Sequence, residues 1–230
     1  MRLQCDVSKT GNFTLIPHLF SKEECHLFVT LIDNTDDVEH LRTRARLISD
    51  SHEWADRLWK QLKPWIFANG YGEVRDDLGD LWECSGINGR FRLVKYEATQ
   101  DFRLHEDGYY EKSWDERSFA TFMVYLNDVP EECGGATFFT DHSIRIQPRE
   151  GLCVVFFVEG LMHCGEMLKA GEKYILRTDF MYRLKEVKDP DMRKAIYQSQ
   201  KAAENSTDKP SEEWKHWAHY YELREKYLSH

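Results

Sequence analysis

His105 and Asp107 stand two residues apart in the stretch RLHEDGYYEK, residues 103–112. On a strand, residues two apart point to one face, so Arg103, His105 and Asp107 would look into one cavity. An imidazole and a carboxylate placed this way are two of the three protein ligands that Fe(II) takes on one octahedral face. Three positions are then left open for chemistry, and the third ligand must be another histidine from elsewhere in the fold. The bland alternative is a pair of solvated loop residues. With ten histidines in the chain, one H-x-D by chance is common. His105 is nevertheless the only histidine followed two later by Asp or Glu.

A second stretch, GLCVVFFVEGLMHCGEMLKAGEKYILRTDFMYR (151–183), offers the missing partner. A buried-strand run ends at Glu159-Gly160, and His163 follows in an H-x-G frame. A histidine there can reach a metal in a barrel mouth. Lys173 heads the next strand, ten residues on. An ammonium deep in a barrel is costly without an anion, and a dicarboxylate cosubstrate would supply one.

The elements that must position these residues fall into three regions. NFTLIPHLF (12–20) reads as a strand or lead-in segment. SKEECHLFVTLID (21–33) reads as a helix with Ser21 as N-cap and Glu24 three later. SHEWADRLWKQLKPWIFA (51–68) reads as a helix interrupted near Pro64. From about residue 86 the texture changes to short strands with turn signals: 89–98, 119–128, 134–140, 144–148, 151–158 and 173–183. That pattern argues for a sandwich or barrel. After 184 the chain is charged and helical in two pieces broken at 203–211, with Ser211 capping the last helix and Trp214, Trp217 and Tyr221 as a docking stripe.

Composition narrows the classes. The chain has 230 residues, 41% hydrophobic and 13% aromatic, enough for a substantial core. Net charge is −9, which disfavours a nucleic-acid substrate. No apolar run is long enough to span a bilayer, so no membrane role is expected. The first residues lack a secretory apolar segment. The six cysteines form no C-x-x-C pair and read as reduced thiols in a cytoplasmic protein.

Taken together, Arg92, Tyr96, His105-x-Asp107, Gly134-Gly135-x-Thr137-x-Phe139, His163 and Lys173 resemble the Fe(II)/2-oxoglutarate-dependent dioxygenases, specifically the prolyl 4-hydroxylase-like branch. The resemblance covers about residues 12–183. Tyr96 lies nine before the first histidine of the triad, and Lys173 ten after the last. The resemblance implies a mainly β fold with flanking helices (α+β), a double-stranded β-helix or jelly roll. The expected layout is an oxygenase domain over 1–184, with a helical front end (1–85) and a jelly-roll core (86–184). A helical extension follows at 185–230.

The resemblance also implies roles. His105, Asp107 and His163 would hold Fe(II). Lys173 would pair with the distal carboxylate of 2-oxoglutarate, and Tyr96 would donate its hydroxyl to it. Thr121 joins this cosubstrate side, and Thr137 is a further pocket candidate. O2 is the co-reactant, with ascorbate as the reductant. Arg177 and Asp179 share a face with Lys173, either as a buried salt bridge or as contacts to a polar substrate. Tyr109 and Trp114 follow Asp107 in a loop over the iron, either clasping substrate or packing the lid.

Three classes stand against one another. The first is a hydroxylase of a prolyl or other residue in a protein or peptide, with a free amino acid, a small metabolite or a nucleobase as alternatives. The second is a lapsed jelly-roll binding module. The third is a cupin-like metalloenzyme without a keto acid, which would leave Lys173 with no partner.

Overall fold

The structure is a computed structural model that describes residues 13–41, 44–206 and 210–229. In chain order its elements are β1 (Phe13–Ile16), α1 (Lys22–Asp33), β2 (Glu39–Leu41), β3 (Arg44–Asp50), α2 (His52–Ala68), β4 (Glu73–Arg75) and β5 (Leu81–Ile87). Next come β6 (Arg90–Glu97), β7 (Phe102–His105), β8 (Glu111–Ser113), β9 (Glu116–Tyr125), β10 (Thr137–Phe139), β11 (Ile144–Ile146) and β12 (Cys153–Phe157). The chain closes with β13 (His163–Gly165), β14 (Glu172–Glu186), α3 (Pro190–Glu204) and α4 (Pro210–Leu228). The protein is mainly β with flanking helices, as the sequence implies.

Two compact units divide the chain. The first comprises the residues up to Leu62, Gly86–Tyr109 and Ser118–Phe180; the second comprises Lys63–Ser85, Tyr110–Arg117 and Met181 onward. The sequence boundary at 184 is therefore not where the compact units divide. Nor is the front end purely helical, because β2 to β5 lie within it.

In the first unit the larger sheet runs β1-β12-β9-β14-β6-β3-β2, and a smaller one runs β11-β10-β13-β7. The two pack face to face through rings. Phe139 of the small sheet stacks on Phe13 at 4.9 Å and meets Phe156 edge-on at 5.4 Å. Each of these side chains is almost wholly buried. Registers set the site: His163 is opposite His105, Lys173 opposite Tyr96, and Arg177 opposite Arg92. Helix α1 begins in the capping box its sequence encodes, with Ser21 Oγ accepting from Glu24 N and Glu24 Oε2 accepting from Ser21 N. Helix α2 runs unbroken through Pro64, contrary to the expected interruption. Burial of Leu58, Leu62, Trp65 and Ile66 along it offsets the one lost backbone bond.

The second unit has its own small core of Leu78, Ile196 and Tyr227, with Met192, Val187, Tyr220 and Leu223 packed against it. Asp189 caps α3, its carboxylate accepting from Met192 N at 3.0 Å. The expected docking stripe on α4 is corrected here. Trp214 and Tyr221 are exposed, while Tyr227 is buried because its hydroxyl donates to the buried Asp80 at 2.6 Å. The side chain of Ser211 and residues 207–209 fall outside the described residues, so the expected cap and break are not described.

Candidate metal centre and its cavity

The candidate centre forms where the two histidine-bearing strands of the small sheet lie side by side. His105 ends β7 and His163 begins β13, and their ring centroids are 4.3 Å apart. Asp107 lies two residues beyond β7. One ligand atom from each of His105, Asp107 and His163 lies within 4.8 Å of the others. Each imidazole is oriented from behind. His105 Nδ1 donates to the Arg103 carbonyl at 2.9 Å and His163 Nδ1 to the Leu161 carbonyl at 3.0 Å. A carbonyl can only accept, so both Nδ1 atoms carry the proton and both Nε2 lone pairs face the cluster. Burial lowers the His163 pKa, against the pull of Asp107, and keeps the ring neutral as a metal ligand must be.

Asp107 is held from several sides. Burial would raise its pKa, but the adjacent His105 ring, the nearby Arg177 and His163, and the Thr121 hydroxyl together hold it at about 2. Thr121 Oγ1 donates to Asp107 Oδ2 at 2.7 Å, and Arg177 Nη1 lies 3.0 Å from Oδ1. Two neutral imidazoles and one carboxylate form a donor set that fits Fe(II).

A cavity of about 150 Å³ opens from this cluster. Lys173 is 4% exposed on its floor, where its ammonium donates to the Gly135 carbonyl at 2.7 Å. The ring centroids of Tyr96 and Tyr125 lie 5.4 and 5.6 Å from the same nitrogen. No carboxylate among the described residues pairs with it. Burial pulls its pKa down to about 8, against Cys164 and Glu166, which act the other way. An isolated buried ammonium facing a cavity fits a carboxylate-bearing ligand. Tyr96 also lines the cavity. Thr137 lines it too, accepting from Tyr125 at 2.7 Å.

Other expected site residues are placed differently. Asp179 does not line the cavity. It is buried at 1% exposure and pairs with Arg92 at 3.1 Å and Arg177 at 3.8 Å, the salt-bridge alternative. Arg177 lines the cavity, and its buried Nε has no hydrogen-bond partner among the described residues. Tyr109 stays off the lining because its hydroxyl donates to Glu159 at 2.8 Å and its ring meets Phe119. Trp114 lies in the turn between β8 and β9, in the second unit, and is no part of the lining. Arg103 is exposed and is no part of the lining.

Sequence reasoning missed Arg44 and Arg46, both on the lining. Their signal was the period-two spacing in RARLISD, hidden because a strand whose inward face is arginine lacks apolar alternation.

Residues 91–180 match the sequence model of the 2OG-Fe(II) oxygenase superfamily. No curated protein sequence matches the chain. Among solved structures, the chain is similar to a viral collagen prolyl hydroxylase from Paramecium Bursaria Chlorella virus-1, at 20% identity and a TM-score of 0.57, over 76% of this chain and 97% of that one. It is also similar to a Pseudomonas putida prolyl-4-hydroxylase, at 15% identity and TM-score 0.56, over 76% and 94%. A third is a Trichoplax adhaerens prolyl hydroxylase in complex with a hypoxia inducible factor peptide fragment, at 14% and 0.53, over 81% and 87%. These likenesses establish the fold, the double-stranded β-helix of that superfamily. The superfamily itself implies Fe(II), 2-oxoglutarate and O2.

Proposed function

We propose that this chain, whose residues 91–180 match the sequence model of the 2OG-Fe(II) oxygenase superfamily, hydroxylates an unactivated C–H bond of a prolyl or other residue in a protein or peptide. One observation carries the reading. A two-histidine, one-carboxylate cluster and a buried ammonium without a carboxylate partner line the same cavity. The prolyl hydroxylases among the similar structures favour a peptide substrate over a free metabolite.

When bound, iron and 2-oxoglutarate supply the oxidation: O2 is consumed, succinate and CO2 leave, and one oxygen atom enters the C–H bond. The chain's residues do the positioning. His105, Asp107 and His163 hold the metal, with Thr121 and the Arg103 and Leu161 carbonyls fixing their orientation. Lys173 receives the distal carboxylate and Tyr96 donates its hydroxyl to it. Phe156, Met123 and Ile175 keep the floor dry, which strengthens that ion pair. Ascorbate serves as the external reductant. The cytoplasm suits the chain, where Cys25, Cys84, Cys133, Cys153 and Cys164 stay as the free thiols they are here.

Succinate formation from 2-oxoglutarate, measured under air with Fe(II), tests this reading. The expected result is slow turnover without substrate that a chelator abolishes and Fe(II) restores. His163→Ala should lose it while keeping wild-type circular dichroism. Equal turnover in that variant would remove His163 from the metal set.

A further inference from the structure

Resting on the oxygenase reading, we propose that the substrate presents a carboxylate to Arg44 and Arg46 on the cavity wall. The cavity is lined by five cations, Arg44, Arg46, Arg92, Lys173 and Arg177, and by one carboxylate, Asp107. Such a lining stands out in a chain of net charge −9.

The cations divide by their surroundings. Lys173 faces the floor and is reserved for the keto acid. Arg177 is committed to Asp107 at 3.0 Å and Arg92 to Asp179 at 3.1 Å. Arg92 and Arg177 are direct cross-strand partners, a like-charge pair that would repel without the buried Asp179 touching both. The inner guanidiniums are thus fixed in place by buried carboxylates.

Arg44 and Arg46 come from the neighbouring strand, β3. They alternate along β3, so both point to the cavity face. The Arg46 guanidinium meets Glu39 at 2.5 Å, but Glu39 is 52% exposed. An exposed pair of that kind contributes little and exchanges readily for a ligand anion. Arg44 lies with its guanidinium carbon 4.0 Å above the Phe102 ring, and that ring is 4.2 Å from the His105 imidazole. A group held by Arg44 is therefore one aromatic ring away from the metal cluster. A planar guanidinium held on a ring keeps its fork of donors in a fixed direction, the geometry that carboxylates and phosphates match.

The cavity's size points the same way. About 150 Å³ is the liquid volume of roughly five water molecules. A keto acid reaching Lys173 takes most of that space, which leaves little room for the substrate's own polar group beside Lys173.

Two sources of the anion are separated by two arms. One arm uses a proline-containing peptide with flanking Glu residues against its Gln counterpart. The other uses free L-glutamate against L-glutamine. Binding is read without air by calorimetric titration of each probe into the protein, with and without Mn(II) and 2-oxoglutarate. The acidic member of at least one arm should bind about ten- to a hundredfold more tightly than its amide. That preference should shrink in Arg44→Gln and Arg46→Gln and with added salt. The arm in which it appears tells an acidic peptide from a small acid. Equal binding of acid and amide in both arms, or a preference unchanged in the double variant, would overturn the proposal. Wild-type succinate formation is measured alongside. Its absence would count against the oxygenase reading, while the binding comparison judges the arginines separately.

Discussion

At the scale of single residues, Lys173 is where function and stability oppose each other. Its pKa in the folded chain is about 8, below the ordinary 10.5. Below pH 8 the ammonium is charged in both the folded and unfolded chain, and the cost of burying it acts in full. Between pH 8 and 10.5 the unfolded chain keeps a proton that the folded chain has shed, so stability of the ligand-free protein rises with pH. The shift corresponds to about 3 kcal/mol. Lys173→Met should therefore stabilise the ligand-free protein at pH 7 by about 1–3 kcal/mol, less what is lost when the Gly135 carbonyl loses its donor. Urea denaturation at pH 7 and pH 10 checks this. The gain should shrink at the higher pH, and a variant less stable than wild type at pH 7 would contradict it. Bound 2-oxoglutarate should stabilise wild type and leave the variant unmoved.

At the scale of elements, the legible parts were those whose pattern matched their environment. Strands β9 and β12 are buried on both faces and showed as apolar runs. The capping box announced α1. Lys173 was readable at the head of a strand, whereas His163 was read as following a strand end and in fact begins the three-residue β13. Strands β2 to β4 were not readable, since β3 turns arginines inward and β2 and β4 are only three residues long. The lid role of Tyr109 and Trp114 could not be judged from sequence, because nothing local reveals that Tyr109 is tied to Glu159. The turn before β10 is legible in its glycines. Gly134 has φ +71° and ψ −141°, a conformation that is nearly glycine's alone. A Cβ there would stand 2.6 Å from the Met167 carbonyl oxygen. Gly134→Ala should cost about 2–4 kcal/mol. It should also weaken 2-oxoglutarate binding, since the adjacent Gly135 carbonyl holds Lys173. A thermal melt within a degree of wild type would show that the turn relaxes freely.

At the scale of the molecule, the C-terminal helices belong to a packed unit with residues 63–85 and 110–117, rather than to a separate tail. Within that unit the guanidinium of Arg193 lies 2.7 Å from Asp76 and 3.4 Å from Asp80, all of them buried. Trp82 Nε1 donates to Asp76 and Tyr227 to Asp80. Removing the one cation leaves two buried carboxylates facing each other. Arg193→Met should cost about 3–5 kcal/mol. Hydrogen exchange should speed up across α3, α4 and β4–β5, and unchanged protection there would show that the network is dispensable.

The central claim is that metal cluster and buried ammonium form one cosubstrate site. Calorimetric titration of 2-oxoglutarate without air, in the presence and absence of Mn(II), tests it most directly. Tight binding is expected only with metal present. His163→Ala should weaken it by losing the metal, and Lys173→Ala by at least tenfold through losing a charge-assisted pair. Binding of equal strength without metal, or unchanged by Lys173→Ala, would mean that the two halves of the cavity do not serve one ligand.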